Sequence, residues 1–111
     1  MNHDERNIQR LKDKILSLCP MLPGSIRKQF NVCGKPGCKC KDPVSPAKHG
    51  PYYQLSFSVA GKSSSFFIKE KDLPEARRRI KRFKQFRQLT QELTQSNVDL
   101  TRKNGFTRSS S

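Results

Sequence analysis

An α+β fold is what this sequence predicts: an N-terminal helix, a three-stranded antiparallel sheet, and a long C-terminal helix covering that sheet. Three observations carry it. Ile8, Leu11, Ile15 and Leu18 recur at helical spacing, and two alternating runs flank Ala60-Gly61. Leu73, Ala76, Ile80, Phe83, Phe86, Leu89 and Leu93 then form a second apolar stripe at helical spacing.

The first stripe predicts a helix over residues 4–19, with Asp4 as N-cap and with Pro20 and Pro23-Gly24 ending it. Over residues 25–33 the period changes to two. Ile26, Phe30 and Val32 share one face, Arg27, Gln29 and Asn31 the other, and this strand delivers Cys33 to the segment that follows. Residues 34–51 carry Gly and Pro without periodicity and read as a long connection, which a small domain keeps only for a local reason.

Residues 52–59 and 62–69 are the clearest element, a hairpin about a two-residue Ala60-Gly61 turn. That register sets Phe57 opposite Ser64, Leu55 opposite Phe66 and Tyr53 opposite Ile68. It gathers Tyr53, Leu55, Phe57, Phe66 and Ile68 on one face. The other face carries Tyr52, Gln54, Ser56, Ser58, Ser63, Ser65, Phe67 and Lys69. Asp72 with Glu75 three residues on is a capping-box signal for the last helix, and Pro74 is tolerated in its first turn. Phe83 and Phe86 lie on the apolar stripe and read as core. Val98 and Leu100 prolong the helix, and residues 102–111 read as a polar tail. The expected division is an N-terminal helix at 1–20, a loop, sheet and helix domain at 21–95, and a helix extension with a mobile tail at 96–111.

Chemistry concentrates in the long connection. Cys33, Cys38 and Cys40 stand in Cys33-Gly-Lys-Pro-Gly-Cys38-Lys-Cys40, and His49 follows. Thiolate and imidazole are the ligands Zn²⁺ prefers, and three of the first with one of the second close a tetrahedral structural site. Gly34, Pro36 and Gly37 allow the tight turn that brings successive sulfurs together. Cys19, Asp42 or water are alternatives to His49 at the fourth corner, and His3 reads as solvated. Two disulfides fit less well, because Cys38 and Cys40 are too close for a comfortable bridge. The charged start, Met1-Asn-His-Asp-Glu-Arg, has no apolar signal core, so a reducing cytoplasm is expected. Free thiols or a redox-active pair are the other readings of the cluster. Only 32% of residues are apolar, so a metal staple has an obvious role. Structural zinc supplies about 10 kcal/mol or more of folding free energy in small domains.

The net charge is +14 over 111 residues, which calls for an anionic partner, nucleic acid first. Arg77, Arg78, Arg79, Lys81, Arg82, Lys84 and Arg87 follow one another with no acidic residue among them. A solvated helix ordinarily mixes signs, so phosphate contact is the favoured reading over a merely soluble basic face. Lys35, Lys39, Lys41 and Lys48 form a second basic group on the metal loop, and Arg27 and Lys28 lie on the first strand. No run is long enough to span a membrane. Acidic residues are scattered, no nucleophile–base arrangement or phosphate-binding loop is present, and a full zinc site has no open position for activated water. The expectation is a protein that is not an enzyme.

Met21-Leu22-Pro23-Gly24-Ser25-Ile26, the CGKPGCxC block and His49-Gly50-Pro51-Tyr52-Tyr53-Gln54-Leu55-Ser56 resemble the signature blocks of a prokaryotic small-protein family of unknown function. Some members of that family are associated with transposable elements. The resemblance implies no established activity, and treats Cys33, Cys38, Cys40 and His49 as one unit. The combined expectation is a zinc-stabilised nucleic-acid-binding protein, DNA before RNA, serving as an accessory of a mobile element. The competing expectation is a protein–protein adaptor in a transposase-like complex, docking through the first helix and through Leu89, Leu93, Val98 and Leu100.

Overall fold

The structure, a computed structural model, describes residues 2–31, 37–39, 43 and 49–106. Its elements run α1 (His3–Leu16), β1 (Ser25–Asn31), β2 (His49–Val59), β3 (Lys62–Ile68), a 3₁₀ turn (Glu70–Asp72) and α2 (Leu73–Asn104). The class is α+β, as the patterning predicts. Two compact units are present, one of Met1–Met21 with Lys81–Ser111 and one of Leu22–Ile80.

The helical unit pairs α1 with residues 81–104 of α2. Asn2, not Asp4, caps α1: its Oδ1 accepts from the Glu5 N–H at 2.8 Å, which leaves Asp4 and Glu5 in the first turn. There their charge complements the exposed N–H ends of the helix. The two helices run antiparallel. Lys103 Nζ meets Asp4 Oδ2 at 3.3 Å, Asn7 Nδ2 donates to Ser96 Oγ at 3.3 Å, and Arg82 Nη1 donates to the Pro20 carbonyl at 3.1 Å. Leu11, at 2% exposure, is the buried centre of this unit. Ile8, Ile15, Leu18, Phe83, Phe86, Leu89, Leu93 and Leu100 are half-buried.

In the second unit the strands lie in the order β1-β2-β3, both pairs antiparallel. The hairpin register is the predicted one: Phe57 faces Ser64, Leu55 faces Phe66 and Tyr53 faces Ile68. Ala60 (φ +53°) and Gly61 (φ +78°) both adopt the left-handed conformation that matches the turn to the twist of the strands. On the other side Ile26 pairs with Leu55 and Lys28 with Tyr53. Leu55 therefore sits mid-sheet with neighbours on both sides, and its exposure is 0%. Leu73 and Ala76, from the first turns of α2, are the other buried apolar residues described in this unit.

Two glycines are fixed by close approach. Gly24 (φ +99°) lies so near the Ser56 carbonyl oxygen that a Cβ there would overlap it, and Gly50 (φ +133°) is pressed against the Gln29 carbonyl. The Leu22 N–H donates to the Arg79 carbonyl at 3.0 Å, linking the entry of the sheet to the first turns of α2.

Three further expectations are corrected. β2 begins at His49, so His49 is a strand residue and not part of the connection. The apolar stripe of α2 does not all belong to the sheet: Leu73, Ala76 and Ile80 fall in the sheet unit, while Phe83, Phe86, Leu89 and Leu93 fall in the helical unit. Length is the reason, since the 32 residues of α2 span about 48 Å. A seven-residue strand covers only about 23 Å. Finally, helix continues to Asn104 where a tail is expected from 102. The rest of that expected tail, residues 107–111, lies outside the described residues, as do the last two positions, 32 and 33, expected of β1.

Candidate nucleic-acid interface and metal loop

Seven cationic side chains project from α2 between Arg77 and Arg87, and they divide into two groups. Glu75 binds the first. One carboxylate oxygen lies 3.0 Å from both Nε and Nη2 of Arg78, and the other accepts from Arg79 Nε at 3.0 Å. These are the i,i+3 and i,i+4 spacings at which helix neighbours meet. The hydrogen bond from Arg79, followed by that from Arg78, holds the Glu75 carboxyl below its ordinary value. Arg82 is likewise engaged, through the Pro20 carbonyl.

The second group is Arg77, Lys81, Lys84 and Arg87. All four are exposed and have no hydrogen-bond or ion-pair partner among the described residues. Steps of four and three place Arg77, Lys81 and Lys84 on one stripe of the helix. Arg78, Arg79 and Arg82 stand at the same helical spacings, but those three are the internally bonded ones. Sequence spacing alone contains the missing signal, because Glu75 stands three and four residues before Arg78 and Arg79.

The outer face of the sheet adds a second surface without negative charge. No described strand contains an acidic residue, and Arg27 is exposed on this face, whereas Lys28 and Lys62, opposite Tyr53 and Val59, belong to the other one. Across this face Gln29 Nε2 donates to Gln54 Oε1 at 3.0 Å, and Gln54 Nε2 donates to Ser65 Oγ at 3.0 Å. Tyr52 and Phe67 meet edge to face, with ring centroids 6.2 Å apart. The glutamine–serine ladder is a feature that sequence reasoning misses, although Gln29, Gln54 and Ser65 share a face by simple alternation.

The expected metal ligands fall mostly beyond what can be placed. Cys33, Cys40, Lys35, Lys41 and Lys48 lie outside the described residues, as does the alternative ligand Asp42. Of His49 only the backbone is described: it pairs with Asn31 beyond an irregularity in β1. That pairing brings the chain back, at His49, beside a residue two positions in sequence from Cys33. Cys38 is half-buried, Gly37 before it has φ +75°, and Lys39 is exposed. Cys19 is exposed. Among the described residues no three His, Cys, Asp or Glu side chains come together. No helix among them is long and apolar enough to cross a membrane.

No curated protein and no solved structure is significantly similar to this chain. Residues 3–78, more than half of the chain, do match a defined family, and the chain belongs to the domain of unknown function DUF6788.

Proposed function

We propose that this is a nucleic-acid-binding protein, not an enzyme, whose basic helix holds phosphates and whose 33–49 segment is clamped by zinc through Cys33, Cys38, Cys40 and His49. The observation that carries the reading is the stripe Arg77–Lys81–Lys84, with Arg87 beside it: exposed cations left without a described counter-ion, while Glu75 serves Arg78 and Arg79. Like charges held at i,i+3 and i,i+4 repel, and a polyanion relieves that repulsion. Lys35, Lys39, Lys41 and Lys48 would extend the binding surface along the loop. The donor set of three thiols and an imidazole suits a closed zinc site, and such a loop is supported by the backbone pairing of His49 with Asn31, two positions before Cys33 in sequence. When bound, zinc would supply rigidity to the loop and no reactive position.

DNA is placed before RNA, and the protein beside a mobile element, on the resemblance of the CGKPGCxC and HGPYY blocks. A reducing cytoplasm suits thiols that hold a metal. The adaptor reading is weakened by burial. Leu89, Leu93 and Leu100 are half-buried in the helical unit, which leaves Val98, at 40% exposure, as the exposed member of that set.

A salt titration of binding tests the proposal. The parent protein should bind a DNA oligomer at low salt, with log K falling linearly against log salt. Arg77→Gln/Lys81→Gln/Lys84→Gln should flatten that slope by about 2 to 3, at roughly 0.7–0.9 for each phosphate no longer neutralised. No binding at low salt, or a slope near zero, removes the proposal.

A further inference from the structure

We infer that the outer face of the sheet is a stacking platform for single-stranded nucleic acid, an inference that rests on the nucleic-acid reading above and names its substrate class. Strand pairing sets two rows side by side on this face. One row is Arg27, Gln54 and Phe67, and the other includes Gln29 and Tyr52. Each row thus combines an amide with an aromatic ring, and the first adds a cation.

Phe67 is 62% exposed and Tyr52 41%, large apolar areas to leave in water on strands whose other face holds the core. Their edge-to-face packing orders the two rings without covering them. Gln54 is bonded on both sides, to Gln29 and Ser65, so the amide paired across the strands with Phe67 is held in place. With Arg27 on this face and no acidic residue on the three described strands, the charge offered to a phosphate backbone is positive only.

The occupant is single-stranded because an exposed ring can be used only by a base with a free face. In a duplex both faces of each base are already stacked on neighbours, whereas an unpaired base stacks on aromatic side chains irrespective of its identity. Phosphates would meet Arg27 on this face.

The test compares labelled oligo-dT, oligo-U and a DNA duplex of equal length by fluorescence anisotropy, using the full chain. Tyr52→Leu/Phe67→Leu should weaken both single strands about tenfold or more while changing duplex affinity by less than about twofold. Tyr52→Phe should retain parent affinity. Circular dichroism confirms that the variants are folded; should the double variant not fold, each single leucine variant is read in its place. Equal weakening of single strand and duplex, or no weakening of either, overturns the platform and leaves the basic-helix reading intact. A parent protein that binds none of the three oligomers overturns both.

Discussion

Glu75 is the residue on which the charge of α2 turns. Its carboxylate serves two guanidinium groups and so withholds Arg78 and Arg79 from an external anion. Glu75→Gln should raise affinity for nucleic acid severalfold and steepen the salt dependence by up to about 2, as two cations are released. Unchanged affinity and slope would show that neither arginine faces the ligand. The same ion pairs give stability a defined pH dependence. Because the folded-state pKa of Glu75 is depressed by Arg79 and Arg78, its contribution is fully present above the ordinary glutamate range of about pH 4.3. It is lost as pH falls through the lower folded value, and in Glu75→Gln this part of the acid transition should be absent from a melting series.

At the scale of elements, the sheet depends on how closely the chain enters it. Gly24 precedes β1, and a side chain there would strike the backbone of β2 at Ser56 while holding a left-handed φ. Gly24→Ala should therefore cost about 2 kcal/mol or more, measured by denaturant unfolding, with the effect confined to stability. Gly61→Ala is the contrast: its φ is also positive, but nothing lies within 4 Å of the added methyl. Local pattern makes the hairpin readable, since Tyr53, Leu55, Phe57, Phe66 and Ile68 agree on one face only in one register. The start of α1 is less readable because Asn2 and Asp4 are both good caps, and only backbone geometry chooses between them. The partition of α2 is hidden for another reason. An apolar stripe records that a helix is covered, but not by what, so nothing in Phe83 or Leu89 distinguishes a sheet from α1 as the partner. The cations are legible as a run, whereas their division into bonded and open groups requires the side-chain geometry of Glu75.

For the whole molecule, few residues carry the burial. Leu11, Leu55, Leu73 and Ala76 are the buried apolar residues among those described, a thin core for a chain with +14 charge. Self-repulsion works against so small an apolar interior, which is where a zinc staple would contribute most. Protein purified under reducing conditions should carry one zinc per chain in native mass spectrometry. Cys38→Ser should release that zinc and empty much of the folded population, whereas Arg77→Ala should melt like the parent. A Cys38→Ser variant with unaltered melting would remove the metal from the account of stability.

The long reach between α1 and its partner has a consequence for synthesis. Asn7 and Ser96 are separated by 89 positions, and Asp4 and Lys103 by 99. A ribosome therefore releases α1 well before its companion, while every strand of the sheet unit is available by residue 80. Assembly during translation should run inside-out: pulse proteolysis of stalled chains that have emerged to about residue 80 should find the three strands protected and α1 still cleavable.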